Sequence, residues 1–246
     1  VGVVRSGNED AFLMAPDAGV FIVADGMGGH AAGEVASEMS VQIVGRSLEN
    51  VVGRPDAEAA ETIRKGIVEA NAAIFQRTLV EQDKRGMGTT VTAMVINGER
   101  YMIGQVGDSR AYLLRDGQLL QITKDHSYVQ EQVDAGYLTP AQARTHPYSN
   151  VITRCVGANS DVAPDVYGGT LHGSDHFLLA SDGLTGMLED EDLLTILTSG
   201  RSPGELVDKL ISEANRRGGL DNVTVIIVRI DGIDVTDEAA ANAAGA

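Results

Sequence analysis

Apolar residues change spacing several times along this chain, and each change marks an element. "FIVA", residues 21–24, is a short unbroken apolar run closed by Asp25 and the stretch "DGMGGH", which reads as a buried strand delivering an acid into a glycine-rich loop. In "EVASEMSVQIVGRSLENVV" apolar residues fall at 35, 39, 43, 44, 48, 51 and 52, and Ile63, Ile67, Ala70 and Ile74 repeat the spacing. Two consecutive amphipathic helices are expected. From Met87 the texture turns β-branched in "TTVTAMVI", then "RYMIGQVG", "RAYLLRDG" and "QLLQIT", with the turn signals "NG" and "DG" between them; this predicts an antiparallel meander. Residues 126–144 return to helical texture, and "THPYSNVITRCVGANSD" reads as an irregular surface segment. Strand texture resumes in "DVYGGTL" and "DHFLLASDG". Helices are expected near Asp190–Leu197 and Pro203–Arg216, where Leu206, Leu210 and Ala214 share a face, and "NVTVIIVRI" forms the last strand. From Asp231 the chain is acidic and alanine-rich, and is expected to be disordered.

Hairpin spacing dominates this order, so the sheets should be mostly antiparallel, each needing cover on its outer face. Two sheets packed together with helix pairs outside, an α+β fold in one domain over residues 1–231, meet that need. Of the 246 residues 43% are hydrophobic but only 4% aromatic, with no tryptophan, so the core must be mainly aliphatic. No apolar run approaches the roughly 20 residues of a bilayer span, so no membrane span is expected; the chain starts at Val1 and could belong to a longer, tethered protein. Thirty-five acids against nineteen bases give a net charge of −16, which argues against a nucleic-acid partner and suits cations. Cys155 is the only cysteine. It allows neither an intramolecular disulfide nor a cysteine metal cluster, pointing to a reducing, cytoplasmic compartment, and it reads as a small buried residue without chemistry.

Five aspartates sit where apolar runs meet small or polar residues: Asp10 in "NEDAF", Asp25 in "IVADG", Asp108 in "VGDSR", Asp182 in "LASDG" and Asp221 in "LDNVT". Any one of them fits a turn. Five at strand ends, with glycines that let backbone carbonyls approach, supply the oxygen ligands that magnesium or manganese needs. Two such ions about 3.5–4 Å apart can share a carboxylate and a water, generate hydroxide near neutral pH and clamp an in-line displacement at phosphorus. Phosphate ester hydrolysis follows. Arg5 could hold phosphate oxygens from the same rim, and a surface ion pair explains it equally well.

In order, "RSGNEDAF", "VADGMGGHAAGEVAS", "GMGTTVTAMVI", "GDSRAYLLRDGQL", "LASDGL" and "DNVTVIIV" resemble the metal-dependent PPM family, the type 2C Ser/Thr protein phosphatases, in its bacterial single-domain form. The resemblance covers essentially residues 1 to 230. It implies an α-β-β-α sandwich with Mg²⁺ or Mn²⁺ in the cleft between the sheets: two core ions and a third, weaker one. By position, Asp25 resembles the ligand bridging the core ions and Gly26 offers its carbonyl to the first. Asp182 and Asp221 resemble ligands of the second, while Glu9 and Asp10 match acids that hold metal-bound waters. Asp108, with Asp182, matches the support of the third ion; Arg5 matches the phosphate-binding arginine, and His30 the candidate general acid, its ordinary pKa near 6.5 suiting it to donate at neutral pH. Residues 136–160 correspond to a flap beside the active site. The partners implied are phosphorylated proteins, including a Ser/Thr kinase, acted on by a monomer. The family's first strand is usually longer than the few residues before Arg5, and alanine is common where this chain has Cys155.

Two rival readings remain. "GDSR" also contains the Gly-Asp-Ser nucleophile motif of an esterase family, but no histidine here has an aspartate three residues before it, which leaves Ser109 without a base. A non-catalytic phosphoprotein-binding member of the fold would be expected to lack at least one metal acid, and all are present.

Overall fold

The computed structural model describes residues 1–28 and 32–232; His30 and the alanine-rich tail therefore lie outside the described residues. The first sheet holds β1 (Asp10–Ala15), β2 (Val20–Met27), β4 (Val91–Asn97), β5 (Arg100–Val106) and β8 (Asp165–Thr170) in that order, with the short β3 (Gly88–Thr89) on the end of β2. The second holds β10 (Val225–Arg229), β9 (His176–Ala180), β6 (Arg110–Arg115) and β7 (Gln118–Gln121). Every pairing between these strands is antiparallel.

The sheets face each other, and this explains why β2 is apolar at consecutive positions: alternate side chains point to opposite faces, and both faces are covered. Val20, Ile22 and Ala24 join the core under the helices, while Phe21 and Val23 join the core between the sheets with Met94, Ile103, Leu113, Phe177 and Leu179. Tyr101 and Phe177 meet edge-on across that layer, their ring centroids 4.8 Å apart. Helices α1 (Ala32–Leu48) and α2 (Asp56–Val80) cover the first sheet, α2 through Ile63, Ile67, Ala70 and Ile74 as its spacing predicts. The second sheet is covered by α6 (Asp190–Leu197) and α7 (Pro203–Arg216), with Leu193, Leu206, Leu210 and Ala214 against Tyr112 and Leu178. Both begin in capping boxes, Glu189 with Asp192 and Ser202 with Glu205, which satisfy the free N–H groups of the first turn. The helical texture at 126–144 resolves into α3 (Tyr128–Asp134) and α4 (Pro140–Arg144), and a one-turn α5 (Asp182–Thr185) follows β9. Among the described residues no helix is long and apolar enough to cross a membrane.

Three expectations are corrected. The meander is split: β4 and β5 belong to one sheet, β6 and β7 to the other, and the chain changes layers at residues 107–109. "DG" is the two-residue loop between β6 and β7, and the β4–β5 loop is Gly98–Glu99, one residue on from "NG", whereas "GDS" crosses from layer to layer. The buried face of α1 runs through Ala36, Ser37, Ser40, Val41, Val44 and Leu48, with Val35, Met39 and Ile43 half-buried beside it, because small residues let the helix lie close on the sheet. Cys155 is only half-buried.

Candidate active site

One end of the sandwich opens into a cleft of about 230 Å³ lined by Arg5, Glu9, Asp25, Gly26, Thr90, Asp108, Asp182 and Asp221 together with Asn150 and Ile152. Sequence positions more than two hundred residues apart thus meet in one place. A larger groove of about 360 Å³ between α1 and β1 is mostly apolar, with Arg46 and Glu49 as its ionisable lining, and it holds no cluster of acids.

Asp25 is not at a strand end. β2 runs two residues further, pairing Gly26 with Thr89 and Met27 with Gly88, so the Asp25 backbone is held on both sides. Its N–H donates to Thr90 Oγ1 at 2.9 Å; its carbonyl accepts the Thr90 N–H at 2.9 Å and Thr89 Oγ1 at 2.9 Å. Asp10 lies directly across from Asp25 on β1. It sits behind the cleft lining, with Oδ2 accepting from Thr224 Oγ1 at 2.6 Å and Ser181 Oγ at 2.9 Å. Asp108 follows β5 in the layer-changing turn, Asp182 opens α5 after β9, and Asp221 precedes β10. Asp221 Oδ1 accepts the Asn222 N–H at 2.8 Å, and its Oδ2 accepts from Arg5 Nη2 at 2.6 Å. The exposed Arg5 is therefore both at the cleft rim and in an ion pair.

Two glycines let these segments close together. A Cβ on Gly26 would stand 2.1 Å from the Gly33 carbonyl oxygen and 2.5 Å from that of Glu9; a Cβ on Gly183 would stand 1.9 Å from the Asn222 carbonyl oxygen. Each glycine follows a cleft aspartate, and each is required by a second acid-bearing segment pressed against it rather than by an unusual dihedral angle. Gly183→Ala should consequently push Asn222 and Asp221 away from Asp182. A fall in thermal stability equivalent to about 1–3 kcal/mol is expected, and an unchanged melting temperature would contradict the close approach.

Six carboxyl groups (Glu9, Asp10, Asp25, Asp108, Asp182 and Asp221) gather here against the guanidinium of Arg5 at the rim and that of Arg110 near Asp108 and Asp182. Burial, then the neighbouring charges of Asp182 and Asp10, pushes the Asp25 carboxyl well above the usual range. Burial raises Asp10 to about 6 in spite of its hydroxyl donors, and burial with the charges of Asp182 and Asp125 raises Asp108 to about 8. Asp182 and Glu9 are also raised, first by burial. Asp25 and Asp182 come within hydrogen-bond reach of one another, an approach of like charges that needs a shared proton or an intervening cation. Among the described residues no three acidic, histidine or cysteine side chains already close into a coordination sphere. What marks the cleft as a cation seat is a set of orphaned acceptors: among the described residues, Glu9 Oε1, Asp10 Oδ1 and Asp182 Oδ1 are buried without a hydrogen-bond partner. A buried carboxylate oxygen left unpaired is costly, and a hard divalent cation with its waters satisfies such oxygens.

Sequence reasoning missed the residues that hold these acids. Asn222 ties the N-terminal segment at three points: its Oδ1 accepts the Glu9 N–H at 2.7 Å and its Nδ2 donates to the carbonyls of Gly7 at 2.9 Å and Val1 at 3.1 Å. Ser181 and Thr224 clamp Asp10. Beneath Asp108, Thr90 Oγ1 and Ser109 Oγ lie 2.7 Å apart, and Gln105 Nε2 donates to the Ser109 and Gly107 carbonyls at 2.7 and 3.0 Å. The available signal was the small polar residue beside three of the acids, Ser109 after Asp108, Ser181 before Asp182 and Asn222 after Asp221. Ser109 is fully buried in this network, which removes it as an esterase nucleophile.

A two-layer sandwich with helix pairs outside and an acid-lined cleft at one end defines a class of cation-dependent hydrolase, and comparison with known proteins gives the family. The protein phosphatase 2C model matches residues 4–205, and the chain belongs to that family. It is 40% identical over 231 residues to the serine/threonine phosphatase stp of Listeria welshimeri, 92% of each chain being covered. The crystal structure of the Mycobacterium tuberculosis serine/threonine phosphatase PstP/Ppp superposes with a TM-score of 0.87 at 38% identity, covering 94% of this chain and 95% of that one. The catalytic domain of PstP in complex with two manganese ions is similar as well, with a TM-score of 0.83, 38% identity and coverage of 94% and 95%. The family and the α-β-β-α architecture expected from the six motifs are both borne out, and with them the class of enzyme, a metal-dependent phosphoprotein phosphatase.

Proposed function

We propose that this chain hydrolyses phosphoserine and phosphothreonine monoesters on proteins, at a cleft whose acids hold two Mg²⁺ or Mn²⁺ ions and a third, weaker one. The observation that carries this reading is the trio of unpartnered buried oxygens on Glu9, Asp10 and Asp182 beside Asp25. Asp25 and the Gly26 carbonyl would hold the first ion, and Asp25 with Asp182 and Asp221 the second. Glu9 and Asp10 would orient waters in the cleft, Asp10 from its buried position behind the lining. Asp108 and Asp182 would hold the third. Bound ions of this kind supply Lewis acidity, bringing a coordinated water toward neutral pKa and offsetting phosphoryl charge. Arg5, exposed at the rim, grips phosphate oxygens through its fork of N–H donors, giving up its carboxylate partner Asp221 to do so. His30 is proposed as the acid that protonates the departing alkoxide. The flap brings Asn150 and Ile152 to the cleft mouth, where a phosphopeptide backbone would pass. Phosphoproteins made by a Ser/Thr kinase, in a reducing cytoplasm, are the substrates this reading expects, and the enzyme acts as a monomer.

The test is hydrolysis of a phosphothreonine peptide with Mn²⁺, with Mg²⁺ and with a chelator. Turnover should require either ion and disappear on chelation. Chelator-insensitive turnover would reject the cation mechanism, and peptide binding without turnover under any condition would identify a non-catalytic member.

A further inference from the structure

Three aromatic rings gather beside the cleft without taking part in the cation site. Between ring centroids, Tyr128 at the start of α3 lies 5.9 Å from His146 and 5.8 Å from Tyr148, and His146 lies 5.6 Å from Tyr148. The planes of the two tyrosines meet at 86°, an edge-to-face contact. The turn that carries the other two rings is fixed by its own hydrogen bonds: the Tyr148 N–H donates to His146 Nδ1 at 3.1 Å, and the Ser149 N–H donates to the His146 carbonyl at 2.9 Å. Tyr128 and His146 are half-buried, whereas Tyr148 is 58% exposed. A cluster that only packed α3 against this turn would not need to leave a tyrosine ring open.

The cluster adjoins the cleft mouth. The Tyr128 N–H donates to the Val151 carbonyl at 2.8 Å, and Val151 stands in the chain between Asn150 and Ile152 of the cleft lining. The surroundings are anionic. The chain carries a net charge of −16, which two or three divalent cations do not offset. Glu131 stands one helical turn from Tyr128 on α3. The cations nearest to it in sequence are engaged elsewhere, Lys124 with Asp134 at 2.6 Å and Arg144 with Glu189 at 3.4 Å, and among the described residues Glu131 is in no ion pair. The face of an aromatic ring is itself the negative end of a quadrupole and attracts a cation.

We propose that the exposed ring of Tyr148, backed by Tyr128 and His146 and flanked by Glu131, is a subsite for a cationic side chain, arginine or lysine, near the phosphorylated residue of the substrate. This rests on the reading of the cleft as a phosphopeptide hydrolase. Because the other two rings already hold Tyr148 in place, little side-chain freedom is lost when the cation settles on it.

The test is hydrolysis, in saturating Mn²⁺, of phosphothreonine peptides in which a single arginine is moved along either side of the phosphothreonine, with citrulline in the same place as its uncharged isostere. The ratio of kcat/KM for arginine over citrulline should peak at one position. At that position Tyr148→Leu should lower the ratio about two- to fivefold, the worth of an exposed cation–ring contact, while Tyr148→Phe, which keeps the ring face, should hold it. A ratio unchanged in Tyr148→Leu, or lost equally in Tyr148→Phe, overturns the proposal. On the unsubstituted chain, attraction by net charge alone would favour arginine at every position and fade as salt is raised. A preference of that kind overturns the subsite even if the Tyr148 variants fail to fold. If the unsubstituted chain turns over no peptide at all, the phosphatase reading itself fails; if it hydrolyses arginine and citrulline peptides equally, only the subsite fails.

Discussion

Asp25→Asn should abolish turnover of a phosphothreonine peptide while making the cation-free protein harder to unfold. The two effects have one cause. Asp25 is hemmed by Asp10 on the neighbouring strand and by Asp182 across the cleft, and burial with these charges drives its carboxyl well above the ordinary range. Without a cation the folded state bears that repulsion, and a neutral amide of the same shape relieves it. With a cation, the amide cannot bridge two ions, so a whole ion is lost rather than one hydrogen bond. A fall in kcat of at least about a thousandfold is expected, the upper end for removing one preorganised electrostatic contact. The check pairs steady-state kinetics in Mn²⁺ with thermal unfolding in chelator. Retained activity would reject Asp25 as the shared ligand, and a lower melting temperature in chelator would reject the account of the acid cluster.

Stability of the cation-free protein should fall as pH rises through the neutral range, the reverse of most acid-rich proteins. Asp10 and Asp108 are raised to about 6 and about 8, against an ordinary aspartate value of about 3.9. A raised carboxyl keeps its proton in the folded state at a pH where the unfolded chain has released it. Its contribution is therefore full below the unfolded value and is lost as pH climbs through the folded one. Loss should begin above the unfolded value of about 3.9, with the share of Asp10 complete by about pH 6 and that of Asp108 continuing to about pH 8. Asp165 and Asp175 do not mask this: burial raises them, but bonds to His126 and Arg115 bring them below the ordinary range, so they act only in more acidic solution. Saturating Mg²⁺ should remove the slope, since ligand binding to the native state alone stabilises it and replaces the protons as countercharge. Unfolding midpoints measured across about pH 5–9 with and without Mg²⁺ decide the matter. A flat profile in chelator would show that the carboxyls are not forced together.

Much of this was legible in the chain because local chemistry carried it. The consecutive apolar positions of β2, the regular spacing of Ile63, Ile67 and Ile74, the hairpin dipeptides and the shared face of Leu206, Leu210 and Ala214 each act over a few residues, and the structure keeps each of them. The acids were legible for the same reason: Asp25, Asp182 and Asp221 stand beside glycine, serine or asparagine at the ends of apolar runs. The failures lie where distance in sequence hides contact in space. Nothing local tells that "VGDSR" crosses between sheets instead of closing another hairpin, or that α1 buries its small side chains. Nor does anything local reveal that Asn222 reaches Glu9, Gly7 and Val1, or that Gly183 is needed because Asn222 lies against it.

The opening acid shows the division most clearly. "FIVADG" by itself determined a buried strand carrying a carboxylate with a glycine beside it, since two covered faces demand unbroken apolar residues, while the tertiary pairing with β3 extends that strand past Asp25 to Met27. The tertiary structure decided that this carboxylate lies across from Asp10, within reach of Asp182, and locked by Thr89 and Thr90. Strand pairing and sheet packing bring together charges that no stretch of chain would hold alone, because folding two complete hydrophobic layers supplies the free energy that like-charged carboxylates by themselves would oppose.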